Sequence, residues 1–77
     1  MLIQAKDPDT MRIAEQIGLR IRSLRLEKGW SQEELAFRSQ MHRAYIGHIE
    51  RGERNISIAT LEKVAGALGV KVRVFFP

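Results

Sequence analysis

Ser31-Gln32-Glu33-Glu34-Leu35-Ala36, followed at a short distance by Glu50-Arg51-Gly52-Glu53-Arg54-Asn55-Ile56-Ser57-Ile58, decides how this chain folds. Ser31 with Glu34 three residues later forms a capping box: the serine oxygen accepts from a first-turn N–H that has no helical partner, and the glutamate reaches back to the serine N–H. The spacing predicts a helix over residues 32–39 with Leu35 and Ala36 facing inward, the small Ala36 permitting a close helix crossing. In the second stretch Gly52 supplies the left-handed backbone that stops helices. It follows an arginine-bearing segment whose apolar residues, Ile46 and Ile49, stand three apart, so a second helix is expected over 43–51. Two short helices separated by a tight turn are implied.

On the N-terminal side, Asp7-Pro8-Asp9-Thr10 reads as a turn in which Asp9 or Thr10 caps a helix over about 11–28. Ile13, Ile17, Ile21 and Leu24 recur along one stripe of that helix, with Arg12, Arg20, Arg22 and Lys28 largely elsewhere. Gly18 interrupts it at a cost of about 1 kcal/mol relative to Ala, and Gly29 ends it. On the C-terminal side Ser57 caps a further helix whose core face is Leu61, Val64, Ala65 and Leu68 and whose stop is Gly69.

The tail is ambiguous. Val70, Val72, Val74 and Phe76 alternate with Lys71, Arg73 and Phe75, the period of a strand. A lone terminal strand would need a second chain or Leu2-Ile3 as its partner, so a short turn of helix is slightly preferred. Either way Val72, Val74, Phe75 and Phe76 form a dense apolar cluster, and such a patch marks an interface. Closure of the chain's own core is the other reading, of equal weight for Val72 and Phe76 and of less for Val74 and Phe75.

Composition bounds the function. The 77 residues make one domain, with 1–9 as a polar lead and 70–77 as an apolar tail, too small to bury an extensive core. With 44% apolar and 29% charged residues the chain has no disorder-like bias. Thirteen Lys and Arg against nine Asp and Glu give a net charge of +4 and a pI near 10.1, which favours a polyanionic partner. Nine of the thirteen are Arg, whose planar fork suits phosphate and guanine edges better than Lys does. Cysteine is absent, which excludes disulfides and thiolate metal sites. No stretch resembles a signal peptide or approaches the roughly 18 apolar residues of a membrane span, so a cytoplasmic, nucleoid-associated protein is expected.

Two helices across a tight turn, on a basic chain, form the helix-turn-helix arrangement, in which one helix braces on the phosphate backbone and the next enters the DNA major groove. Trp30-Ser31-Gln32-Glu33-Glu34-Leu35-Ala36, Tyr45-Ile46 and Ile49-Glu50-Arg51-Gly52 resemble the Cro/C1-type (XRE) helix-turn-helix family, an all-α, five-helix, lambda-repressor-like DNA-binding domain, over about 17–76. More narrowly, His42-Arg43-Ala44-Tyr45-Ile46 and Arg51-Gly52-Glu53-Arg54-Asn55-Ile56-Ser57 are similar to the controller proteins of restriction-modification systems, small dimeric regulators that bind operators upstream of their own gene. The resemblance implies a double-stranded DNA operator and a second copy of the chain as partners. With two adjacent operators of different affinity, it also implies activation at low concentration and repression at high.

The same resemblance assigns residues. Arg43 opens the recognition helix where the family faces base edges, and Arg bidentate to guanine is the commonest specific contact. Ala44 is placed to touch a thymine methyl. Gly47 and His48 complete the outward face, and Tyr45 packs its ring partly inside with its hydroxyl toward the backbone. Gln32, at a helix N-terminus, is placed to hold a phosphate with the free N–H groups there. Arg51, Arg54 and Asn55 are expected on the DNA backbone, with Ser57 and Thr60 as weaker candidates. Glu50 and Arg25 resemble the family's internal ion pair and are read as structural.

Two positions depart from the family. Gln40 occupies the turn where the family prefers Gly, so a positive φ there costs roughly 1 kcal/mol. His42 replaces the usual Ser, Thr or Asp cap of the recognition helix.

An enzyme is not expected. The chain lacks a nucleophile elbow, phosphate loop or metal spacing, and no cofactor, metal or small-molecule ligand is called for. His42 and His48 are six residues apart and form no helical ligand pair. The alternatives are an antitoxin that binds a toxin and represses its operon, against which the lack of an extended toxin-binding segment counts, and a Cro-like phage repressor.

Overall fold

A computed structural model describes residues 8–53 and 56–77, with the side chains of 8–12 outside the description. The elements are α1 (Pro8–Glu27), α2 (Gln32–Ser39), α3 (Arg43–Glu50), α4 (Ile58–Leu68) and a 3-10 turn (Val72–Phe75). Among the described residues the fold is all-helical. The expected fifth helix is reduced to that 3-10 turn. Beyond the left-handed stop at Gly69 (φ 76°), the extended Lys71, which makes no side-chain cap, and the extended Phe76 leave only four helical residues between them, Val72, Arg73, Val74 and Phe75. So short a segment, half of it β-branched valine, does not sustain an α-helix.

The expected caps and stops recur with small changes. Ser31 Oγ accepts from the Glu34 N–H at 3.0 Å, but the reciprocal half of the box is missing, since the Glu34 carboxylate accepts instead from Arg38 Nε, one turn on. Ser57 Oγ caps α4 through the Thr60 N–H at 3.1 Å. α1 starts earlier than expected, at Pro8, so Asp9 and Thr10 lie inside the helix; proline at the first helical position gives up no hydrogen bond. α3 ends one residue early, at Glu50. His42 is the extended N-cap of α3 with no side-chain hydrogen bond. Gln40 ends α2 at φ 61°, the left-handed backbone expected of it.

The core gathers Ile17 and Ile21 of α1, Leu35 and Ala36 of α2, Ile46 and Ile49 of α3, the whole Leu61, Val64, Ala65 and Leu68 face of α4, and Phe75. Two expectations fail here. Phe75, grouped with the interface residues, is 0% exposed: the 3-10 turn rotates its ring onto α1 and α4, closing the core of a domain with little else to close it. Ile13, read as part of the core stripe, is 45% exposed, because it lies a turn beyond the end of the packed region. Val72 and Val74 are half-buried and Phe76 is exposed.

α1 meets the end of α3 without side chains between them. A Cβ on Gly18 would stand 2.4 Å from the Ile49 carbonyl oxygen and 2.6 Å from that of Glu50. One on Gly52 (φ 71°) would stand 2.8 Å from the Glu15 Cα. Gly18 is therefore a close-approach glycine rather than a mere interruption.

Thermal melts of three variants check this account. Gln40→Gly gains roughly 1 kcal/mol by relieving the left-handed strain, and a lowered melting temperature would contradict the turn. Gly66→Ala, in an open stretch of α4, gains about 1 kcal/mol of helix propensity. Gly18→Ala, the same change in a crowded helix, loses about 1–3 kcal/mol instead.

Candidate nucleic-acid interface

Arg25, buried on α1, reaches across to Glu50, the last residue of α3. Its Nε donates to Glu50 Oε2 at 2.7 Å and its Nη2 to Oε1 at 3.0 Å, while Nη1 donates to the Trp30 carbonyl at 2.7 Å. The two side chains are 9% and 3% exposed. The hydrogen bond to Glu50 raises the Arg25 pKa against the opposing effect of burial, so the guanidinium stays charged inside the fold. This is the internal ion pair the family resemblance implied.

The pair also orients Gln32. Its Nε2 donates to Glu50 Oε1 at 3.1 Å, and because an ionised carboxylate only accepts, the amide nitrogen must face Glu50. Gln32 Oε1 is left on the side of Gly47, 3.7 Å from where a Cβ would stand.

Around Gln32 two polar hollows adjoin. One, of about 310 Å³, is lined by Gln32, Arg43, Ala44, Gly47, His48 and Arg51. The other, of about 270 Å³, is lined by Arg22, Arg25, Gln32, Glu50 and Arg51. They share Gln32 and Arg51. The missing side chain at Gly47 opens the first, and Arg51 Nη1 lies 3.2 Å from the position a Cβ would take there. Three guanidinium groups, at 22, 43 and 51, thus frame one groove along the exposed side of α3. Planar forks of this kind match bidentate acceptors such as phosphates and purine edges.

An acid sits at the rim. Glu53 Oε1 accepts from His48 Nδ1 at 2.7 Å and from Arg51 Nη2 at 3.2 Å, and Oε2 accepts from Arg51 Nε at 2.9 Å. Since the carboxylate only accepts, the His48 proton on this side is assigned to Nδ1. The Arg51 hydrogen bond, then that of His48, pulls the Glu53 pKa down to about 2.

Of the sequence-derived candidates, Gln32, Arg43, Ala44, Gly47, His48 and Arg51 come together in this groove. Tyr45 is half-buried with its ring packed against the core, as expected. Ser57 and Thr60 are engaged with each other, the Ser57 hydroxyl donating to Thr60 Oγ1 at 3.0 Å. Arg54 and Asn55 lie outside the described residues. Arg22 was not among the candidates; its signal was its place three residues before Arg25, on the same side of α1.

An all-helical domain carrying a basic groove along the second of two short, turn-linked helices defines a helix-turn-helix protein. The chain belongs to the helix-turn-helix family, whose model matches residues 21–75. It is similar to the control protein C.BamHI of Bacillus amyloliquefaciens, 48% identical over 63 residues that cover 80% of this chain and 78% of that protein. The solved restriction-modification controller protein C.AhdI from Aeromonas hydrophila superposes with a TM-score of 0.80 at 46% identity, covering 82% of this chain and 96% of that one. The controller protein C.Esp1396I, solved as a tetramer in complex with its natural 35 base-pair operator, gives a TM-score of 0.75 at 41% identity over 82% of this chain and 83% of its own. These matches bear out the family resemblance read from residues 30–57.

Removing one member of the buried pair strands the other. Glu50→Ala is expected to cost about 3–5 kcal/mol in denaturant unfolding, and replacing both partners, Arg25→Met with Glu50→Leu, to recover most of it. A cost below about 1 kcal/mol for Glu50→Ala would show that the pair contributes as little as exposed ones do.

Proposed function

We propose that this chain is a dimeric transcriptional regulator of the controller type, binding duplex operator DNA with α3 in the major groove. The observation that carries the reading is the convergence of Arg22, Gln32, Arg43, His48 and Arg51 on one groove, on a chain 46% identical to a structurally matched controller protein. Arg43, exposed at the first position of α3, reads a base edge. Arg22 and Arg51 hold backbone phosphate together with the first-turn backbone N–H of Gln32, with Arg54 and Asn55 in the following loop. Ala44 and His48 lie on the surface that meets the groove floor, and the buried Gly47 opens space behind them, while Ser57 and Thr60 act first as the cap of α4.

Dimerisation uses an apolar groove of about 320 Å³ between α1, α4 and the C-terminal segment, lined by Ile13, Ala14, Ile17, Ile56, Ile58, Leu61 and Phe76. Ile13, Ile58 and Phe76 are 45%, 62% and 38% exposed, an apolar surface that a small soluble domain covers. The half-buried Val72 and Val74 lie on the same terminal segment, and Phe75 supports it from within. Paired in this way, two α3 helices meet half-sites about 34 Å, or one helical turn, apart.

A gel-shift titration against the DNA upstream of its own reading frame, beside a scrambled duplex at equal salt, tests the reading. Preferential binding in two resolved steps supports an autoregulatory dimer on paired operators, and a single specific shift a simple repressor. Equal binding to scrambled DNA removes the operator assignment. Arg43→Ala is expected to flatten discrimination at one base pair per half-site by about 1–3 kcal/mol, whereas Arg22→Ala weakens every sequence alike. Equal losses of Arg43→Ala on operator and scrambled DNA would sink the base-reading role. Ile58→Asp is expected to sediment as a monomer with unchanged helicity; an intact dimer would place the interface elsewhere.

A further inference from the structure

Glu53 is an acid on the face where a polyanion is to bind, and the fold holds it there. Gly52 takes the left-handed conformation at φ 71°, and a Cβ at that position would collide with the Glu15 backbone, so only glycine fits this turn. Beyond Gly52 the Glu53 N–H donates to the His48 carbonyl at 3.0 Å, closing the end of α3 with the 6→1 bond of a helix-stop motif. The Glu53 side chain is thereby turned back over the last turn of α3, onto His48 and Arg51. Both carboxylate oxygens are engaged, and Arg51 meets them through Nε at 2.9 Å and Nη2 at 3.2 Å. This is the side-on fork that a phosphate takes from arginine.

We infer that Glu53 sets the level of non-specific affinity: its carboxylate competes with DNA phosphate for Arg51 and His48, and so weakens binding to duplexes that offer backbone contacts alone. The inference rests on the DNA-binding reading above. Non-specific affinity is almost wholly a matter of phosphates neutralised by cations, so occupying Arg51 with a carboxylate withdraws one cation from a small set, and occupying His48 Nδ1 withdraws a neighbouring hydrogen-bond donor. Specific binding loses the same increment but adds base-edge contacts from Arg43, which lies at the other end of α3 from Glu53, so it stays tight where backbone-only binding falls away. Exposed ion pairs are weak individually, so the competition is a bias rather than a block.

The test compares Kd by fluorescence anisotropy for a random duplex and for the upstream duplex, across a salt series. Glu53→Gln keeps the shape and removes the charge. Glu62→Gln, on an exposed position of α4, changes net charge equally. The expected result is that Glu53→Gln binds random DNA about threefold to fivefold tighter, the size of one exposed pair, with a salt slope steeper by about one. Glu62→Gln should change little, and the gain should vanish in an Arg51→Ala background. Melting curves establish that each variant is folded. Random-DNA affinity that is unchanged, weakened or matched by Glu62→Gln would overturn the inference and leave Glu53 a brace for Arg51. A wild-type protein that binds neither duplex would overturn the DNA-binding reading itself, and this inference with it.

Discussion

The Arg25–Glu50 pair is the constraint on which the rest of the molecule depends. It joins the last turn of α1 to the last residue of α3 through two hydrogen bonds of 2.7 and 3.0 Å. Through Trp30 and Gln32 it also fixes the turn and first residue of α2. Taking both charges out of water is costly, and such a pair is weak support for stability as such. What it supplies is orientation. An apolar replacement would pack, but it would leave Gln32 free to rotate and the end of α3 free to slide along α1. The relative placement of α2 and α3, the property a helix-turn-helix must conserve, is thus set by polar geometry rather than by the oily core alone.

The core and the glycines make that geometry possible. Gly18 and Gly52 bring the backbones of α1 and the end of α3 into direct contact, close enough for one arginine to span the gap. Phe75, fully buried, closes the opposite side of a core with few large side chains. The cost falls on the surface: with Phe75 used internally, Phe76 stays exposed beside Ile13 and Ile58, the patch proposed for a second copy.

Local chemistry was legible in the sequence wherever it acts over a turn or two. The Ser31 and Ser57 caps, the stops at Gly29, Gly52 and Gly69, the left-handed Gln40 and the inward faces of α2, α3 and α4 are all of this kind. Long-range geometry was not. Periodicity placed Ile13 on the same stripe as Ile17 and Ile21, but nothing in the spacing says where the packing of α1 ends. Phe75 and Phe76 are adjacent and equally apolar, and only the twist of a 3-10 turn decides which goes inward. Gly18 looked like a defect because the backbone it touches lies some thirty residues away in the chain. In the candidate site, α3 was legible because one helix carries it. Arg22 was not, since it joins the groove only once α1 has packed.

Arg51 brings these two scales together. It stands one residue after Glu50 and two before Glu53, both acids, yet the two do different work. Glu50 is turned inward, is 6% exposed and is spent on Arg25 and Gln32, so its charge is neutralised within the fold and hardly felt at the surface. Glu53, turned outward by the left-handed Gly52, is 48% exposed at its side chain and bonded to Arg51. Its charge acts on the groove itself. Charge counting along the sequence would treat both acids as equal deductions from a basic surface. Once the helix end is folded, one builds the frame that aims the arginines, and the other sets how readily those arginines accept a phosphate. Net charge draws such a protein toward any duplex; on this reading, the distribution of two carboxylates around one arginine tempers that attraction.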